Sequence, residues 1–379
     1  MKIKVNLYRT FKEDQRISME VYADYLDYYI KKDYSSIFDL SSFKPTTLIS
    51  KFLPDKLKMR FARFIEYPYQ IKKIHQRYDI NHVVDHGYSH LIRYPLNIKN
   101  TIVTVHDLIP LLTWKGLIPN FYYPHKPRLF EYSLRCLKNA AHIIADSQST
   151  KKDLIEHCGL KKENISVIYL GSGKSFKPLP KDQKEILRKE KFKFPKDSFL
   201  ILITGQSYKN HETALKVLQE LRTKKSNIYI VRLGQKDKDW DKLKKNYSLD
   251  KYVIEFSWLE LNEVSELYNS VDCLLFPSWY EGFGLPPLEA MASGLPVVAS
   301  NAGSIPEVVD EAGFLFNPND AKGMTKAINL IMDDKKIREK MIDKGIKQSS
   351  LFTWEKSIEK TVNVYKSLIN RNNKIKRHF

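Results

Sequence analysis

The stretch over residues 271–320, VDCLLFPSWYEGFGLPPLEAMASGLPVVASNAGSIPEVVDEAGFLFNPND, constrains the fold of this chain more than any other. Residues 271–276 are a short apolar run closed by Pro277 and Ser278, which reads as a buried parallel strand. Glu281 follows its end, then Gly282, Phe283, Gly284 and Leu285 as a loop, then Pro286 and Pro287, which suit the first turn of a helix. Glycine lets a backbone approach a ligand closely, and a helix start offers free N–H groups and a partial positive charge, so the loop reads as a seat for an anion. The helix is expected to carry Glu289 in its first turn and Leu288, Met291 and Ala292 on its apolar face, and to stop at Gly294 before a second buried strand at 296–299.

The rest of the chain repeats this alternation. Strands are predicted at 2–7, 81–85, 102–105, 142–145 and 167–170, and again at 199–204, 227–233 and 253–256. Helices are predicted at 17–30, 128–139 and 147–157, from about 212, at 262–269 and over a long closing run from 355 to about 370. Residues 35–73 read as a variable insertion, and 176–195, rich in Lys and Pro, as a linker with one helix. Strands alternating with helices argue for an α/β fold with doubly wound parallel sheets, whose ligands sit beyond the carboxyl ends of the strands. At 379 residues the chain has room for two domains. The expected division is 1–178 together with a helix at 355–372, a linker at 179–198, and 199–354.

Several side chains fall at expected strand ends. His106 and Asp107 come just past the strand at 102–105, a place that favours function, although a buried structural histidine is the alternative. Asp85, His86 and Gly87 are a less specific turn. Gly171, Ser172, Gly173 and Lys174 end the first half, and Gly205, Gln206, Ser207, Tyr208 and Lys209 open the second. Glu289 also has a plain reading as a dipole or capping residue. Asp237-Lys238-Asp239 has the form of a metal-binding pair but lies in the solvated charge run QKDKDWDKLKK, so it is rejected as a metal site.

The formal charge of +19 calls for an anionic environment without naming one. No zinc spacing, stacking motif or basic helix with heptads points to nucleic acid, so none is expected as a partner. Basic residues are dense over 51–77, KFLPDKLKMRFARFIEYPYQIKKIHQR, interleaved with apolar ones. That mixture fits a helix lying on an anionic membrane surface, or an ordinary amphipathic helix with a solvated basic face. Cys136, Cys158 and Cys273 have no metal-ligand spacing and read as reduced residues of a cytoplasmic protein, peripheral at most on the inner membrane face. No leader segment is recognised before the first strand, and no apolar run approaches the roughly 18 residues of a membrane span.

The string SWYEGFGLPPLEAMASGLPVVAS followed by GSIPEV resembles the donor-site signature of retaining GT-B glycosyltransferases of family 4. The resemblance is strong over 199–320 and looser over 80–175, and the string TVHDLIP is similar to members that transfer mannose in surface-polysaccharide assembly. It implies two Rossmann-like domains facing across a cleft, a closing helix that returns to the first domain, and no metal or other cofactor. The expected substrates are a nucleotide-diphosphate sugar, GDP-mannose before UDP-sugars, and a saccharide or lipid-linked acceptor. The resemblance places Glu281 and the N–H groups of residues 282–285 on the sugar and phosphate, Glu289 on the ribose and His106 beside the sugar. Lys209 matches the lysine of a diphosphate clamp. Gln206 stands where many members have arginine, so either Arg232 or Lys174 substitutes as a cation or diphosphate binding is weaker. The loop at 10–16 lacks the glycines that many members carry. Replacing Glu281 by Gln or His106 by Ala is expected to lower turnover with folding intact. A glycoside hydrolase using the two glutamates, a sugar-nucleotide epimerase and a nucleic-acid-binding protein are the rival readings.

Overall fold

The structure, a computed structural model, describes residues 2–74, 77–119, 128–205, 209–236 and 238–377. The chain divides into two compact units. One comprises Met1–Trp114, Tyr123–Tyr169 and Trp354–Phe379; the other comprises Lys115–Tyr122 and Leu170–Thr353. Each is built on a six-stranded parallel sheet with helical connections, as a chain of alternating strands and helices should be.

In the first unit the strands are β1 (Ile3–Tyr8), β2 (Phe38–Phe43), β3 (Ile80–Val83), β4 (Thr101–Val105), β5 (His142–Ala145) and β6 (Ile165–Val167), in the order β2-β1-β3-β4-β5-β6. Every side chain of β3 and β4 is buried, so these runs are apolar or internally hydrogen-bonded rather than alternating. The closing helix Trp354–Arg377 packs on this unit, with Ile358, Val362, Tyr365 and Leu368 buried, and Tyr365 Oη lies 2.6 Å from His82 Nδ1 in the sheet core.

The region 35–73 is not merely an insertion, because β2 is the edge strand of the sheet, paired in parallel with β1 from Ile3–Phe38 to Tyr8–Phe43. FDLSSF has little β-branched content and no clean alternation, which hid it. The basic segment that follows is helical but not uniform. Asp55–Phe61, Ala62–Glu66 and Tyr67–Lys73 run on continuously, the middle piece wound as a π turn. Pro68 has no N–H to give a regular turn, and the wider winding takes up the mismatch. Glu66 turns inward and accepts from Ser50 N and Ser50 Oγ, both at 2.6 Å, which pins the segment to its approach.

In the second unit the strands are β7 (Phe199–Thr204), β8 (Ile228–Leu233), β9 (Val253–Phe256), β10 (Cys273–Phe276), β11 (Val297–Ser300) and β12 (Phe314–Phe316), ordered β12-β11-β10-β7-β8-β9. Ile201, Ile203, Leu275 and Val298 share one core with Leu218, Trp240, Met324 and Ile328 of the surrounding helices. The stretch at 176–195, read as a linker, contributes the helical run Lys181–Lys191 and is part of this unit, where Arg188 pairs with Asp272 at 2.9 Å. Among the described residues no helix is long and apolar enough to cross a membrane.

Candidate functional site

The strand order of the second unit reverses direction between β7 and β10, and doubly wound sheets bind ligands beyond the strand ends at that point. Both strands deliver a charged side chain there. Lys209, on the loop after β7, donates to Glu281, on the loop after β10, at 2.9 Å to Oε1 and 3.1 Å to Oε2. The two are buried, at 8% and 7% exposure, so this is a dry ion pair in which each charge is expensive to leave alone. Ser278 Oγ donates to Glu281 Oε1 at 2.5 Å, and the Lys209 ammonium lies 4.9 Å above the Phe276 ring. The Glu281 backbone is fixed too, its carbonyl accepting from Ser304 N at 3.2 Å and Ser304 Oγ at 3.0 Å.

Glycine is required where backbones crowd this pair. Gly303 has φ +56°, and a Cβ there would meet Glu281 O at 2.6 Å and Glu281 N at 2.8 Å. At Gly205, with φ +85°, a Cβ would meet Lys209 Cε at 2.7 Å. Gly284, at φ +97°, turns the chain into the helix Leu285–Ala292, which begins beside this site with Pro in its opening positions. Gly282 and Phe283 are buried, and the Phe283 ring meets Phe352 edge-on at 6.0 Å.

Glu289 differs from its expected place. The helix starts at Leu285, so Glu289 stands in the second turn, too far along to cap. Its carboxyl turns inward to Tyr268, itself buried. Burial pushes this carboxyl up to about 8, against the opposing pull of the Tyr268 hydrogen bond and the Lys209 charge. It is therefore largely protonated at neutral pH, poised to ionise when a good donor arrives.

The other cations proposed for this corner behave differently. Arg232 is 1% exposed and donates to the carbonyls of Gly205 at 3.2 Å, Gly234 at 3.2 Å and Gln235 at 3.0 Å. Its guanidinium thus ties the β7 and β8 loops together, and it is not a substitute cation for a ligand. Lys174 is exposed, on a turn in the same unit, while Gly171 is buried. Gln206 lies outside the described residues, as does Asp237 of the rejected Asp-x-Asp. No group of three or more His, Cys, Asp or Glu among the described residues is arranged to hold a metal ion.

The first sheet reverses between β1 and β3, and its strand ends carry a second cluster. Asp85, fully buried, receives Arg16 Nη1 at 2.5 Å and Gly87 N at 2.7 Å. Burial alone would raise the Asp85 carboxyl, but the Arg16 charge outweighs it and holds the group well below the usual carboxylate range. Beside it Arg63 grips Asp14, which also accepts from Tyr88 Oη.

His106 ends β4 in this unit, and both of its ring nitrogens are engaged. Nδ1 lies 2.6 Å from Asp146 Oδ2 and Nε2 lies 2.8 Å from the Val84 carbonyl. Burial alone would lower its pKa, but the Asp146 carboxylate dominates and raises it to about 9. The ring is an imidazolium donating to both partners at neutral pH, with no nitrogen left to act as a base. Truncating it would strand the buried Asp146 carboxylate, so a cost to folding is expected beside any loss of turnover. Asp107 caps the next helix, accepting from Ile109 N at 2.9 Å, and burial lifts its carboxyl above the usual range.

Sequence reading missed Ser278, Tyr268, Arg16, Asp14, Arg63 and Asp146. Asp146 and Ser278 were findable, since each follows a predicted strand end. Tyr268 and Arg63 carried no local signal, because each acts through a partner far away in the chain.

Comparison with known proteins agrees with this architecture. Residues 39–172 match the model for Glycosyltransferase Family 4, and residues 182–348 match that for Glycosyl transferases group 1. The chain is 26% identical over 303 residues to the serotype-specific mannosyltransferase WbdA of Escherichia coli, an alignment covering 77% of this chain and 37% of that protein. It thus spans little more than a third of that relative's length. It is 28% identical over 281 residues to O-antigen chain mannosyltransferase B of Escherichia coli, covering 72% of each. A sucrose-phosphate synthase from Thermosynechococcus elongatus superposes with a TM-score of 0.78 at 17% identity over 98% of this chain and all of that one, which is a likeness of fold. The two matched segments and the two parallel sheets that contain them make the chain a member of the GT-B glycosyltransferases, with a family 4 domain followed by a group 1 domain.

Proposed function

We propose that the protein transfers a hexose from a nucleotide-diphosphate sugar to a saccharide or lipid-linked acceptor in surface-glycan synthesis, with GDP-mannose as the donor. The observation that carries this reading is the buried Lys209–Glu281 pair at the β7/β10 reversal, beside the glycine-initiated helix Leu285–Ala292. The mannosyltransferase relatives support mannose as the sugar.

In this reading the donor's diphosphate draws the Lys209 ammonium away from Glu281. Glu281, held by Ser278 and Ser304, then accepts from hydroxyls of the sugar, and Glu289 accepts from the ribose hydroxyls. As the bond between the anomeric carbon and the diphosphate breaks, the sugar becomes oxocarbenium-like and negative charge grows on the leaving oxygen. Lys209 and the backbone N–H groups of Gly284 and Leu285 at the loop–helix junction meet that charge, since Pro286 and Pro287 carry no N–H and that of Leu288 is taken by the Gly284 carbonyl. The acceptor hydroxyl enters on the face that the diphosphate leaves, so configuration is retained, and chelators are expected to leave activity unchanged. The acceptor is assigned to the first unit, whose strand ends present Arg16 and Asp85; His106 supports that wall through its charge and packing.

The test compares wild type with Glu281→Gln. The variant removes the partner that competes for Lys209, so calorimetry should show bare nucleoside diphosphate binding about tenfold more tightly, the size of a single charge-assisted bond of 1–2 kcal/mol. Sugar transfer, followed by product chromatography, should fall by two orders of magnitude or more. A variant that transfers sugar normally would sink the assignment. A thermal-shift screen of GDP, UDP and ADP with their sugars then names the donor, since a ligand of the native state alone raises stability by mass action. A larger shift with UDP-glucose than with GDP-mannose would replace mannose by glucose.

A further inference from the structure

A cavity of about 870 Å³ opens on the first unit, away from both strand-end clusters in its lining. Its floor is the Phe64 ring stacked on the His90 imidazole at 4.2 Å, and its walls are Tyr69, Tyr94 and Tyr132. Lys72, Lys73 and Arg93 stand in the same lining, with the Lys73 ammonium 4.6 Å from the centre of the Tyr69 ring. None of the described lining residues carries a carboxylate or a carboxamide. Saccharide hydroxyls are read by such planar acceptors and donors, so bare sugar is a poor match. Three cations over an aromatic and aliphatic trough match an anion attached to a hydrocarbon chain.

The surrounding surface is of the same kind. Ile65 at 56%, Tyr69 at 53% and Tyr94 at 54% exposure flank the cavity, and Leu57 and Phe52 stand exposed on the same basic segment. Contiguous exposed apolar groups of this sort mark an interaction site rather than ordinary surface. The π turn at Ala62–Glu66 aims them, since it turns Phe64 partly inward while leaving Ile65 outward.

We infer that this cavity binds a phosphorylated single-chain lipid, its phosphate at Lys72, Lys73 and Arg93 and its hydrocarbon along Phe64, Tyr69 and Tyr94. The floor is wired to the β1/β3 strand ends. His90 Nε2 donates to the Arg63 carbonyl at 2.8 Å, and the Arg63 guanidinium holds Asp14 with Nε at 3.0 and 3.1 Å. Arg63 and Asp14 thus connect the cavity floor to Arg16 and Asp85, where the acceptor is assigned. This last placement rests on the transferase reading, whereas lipid binding itself does not.

Decyl phosphate below its micelle-forming concentration is the probe, titrated by calorimetry into the full chain, with 1-decanol and inorganic phosphate as controls. Decyl phosphate should bind at least tenfold more tightly than either control. Combined replacement of Lys72, Lys73 and Arg93 by Ala, and separately Tyr69→Ser with Tyr94→Ser, should each weaken it at least tenfold. All of these side chains except that of Phe64 are exposed, and an unchanged melting temperature confirms folding. Equal affinity in both variants, or equal binding of inorganic phosphate, would overturn the inference. So would binding to anionic phosphatidylglycerol vesicles without any binding of the monomeric probe, which would mark a membrane-facing surface and not a cavity. Nucleoside diphosphate binding measured on the same samples reports on the donor site separately, so the two readings fail independently.

Discussion

Lys209, Glu281 and Glu289 crowd one corner, where Lys209 is paired with Glu281 and burial governs Glu289. Glu289 makes a pH-dependent contribution whose sign follows from its raised pKa. Between about 4.5 and 8 the folded carboxyl keeps a proton that the unfolded chain has lost, so stability falls as pH rises through that window. The loss should be on the order of 3 kcal/mol and should vanish in Glu289→Gln, as read by urea unfolding at pH 5 and pH 8. His106 has the same sign at a higher pH. Its folded pKa of about 9 lies above the unfolded 6.5, so its contribution is full below 6.5 and is lost as pH rises through 9. His106→Ala strands the buried Asp146 carboxylate and should cost about 3–5 kcal/mol at pH 7. Chemical denaturation checks this, and a variant as stable as wild type would show the pair to be of no structural weight.

The helix Leu285–Ala292 and the turn at Gly303 act as elements, since their backbones set where Glu281 and Glu289 stand. Gly303→Ala adds a Cβ against the Glu281 backbone at a left-handed position, so strain and overpacking should together cost about 2–4 kcal/mol. It should also shift Glu281 off Lys209, seen as a transfer rate reduced more than tenfold while the variant still melts cooperatively. Legibility at this scale was uneven. The buried run before Pro277 and the glycines after Glu281 announced strand, loop and helix, because periodicity and punctuation are local. β2 was hidden, since its partner β1 and not its own composition makes it a strand. The position of Glu289 was misjudged by a residue or two, enough to move it from the first turn to the second, because Pro286 and Pro287 suit a helix start at either residue as well as one at Leu285.

The closing helix is the clearest case of a whole-molecule effect, for Trp354–Arg377 lies at the end of the chain yet belongs to the first unit. Trp354 stacks on Tyr25 at 4.2 Å and Tyr365 reaches His82, so a chain ended at Thr353 should lose the cooperative unfolding of the first unit. The second unit should keep its transition and its stabilisation by nucleoside diphosphate, which differential scanning calorimetry would resolve as one surviving peak. The sequence by itself determined the alternation of strands and helices, the α/β class and the strand ends at which Glu281, Lys209 and His106 stand, because each of these follows from spacing within a few residues. Only the tertiary structure decided that Lys209 pairs with Glu281 across 72 positions, that Arg232 closes on carbonyls, and that His106 is locked by Asp146 and Val84. Those outcomes depend on which strands become neighbours and how deeply a charge is buried, and no local pattern carries that information.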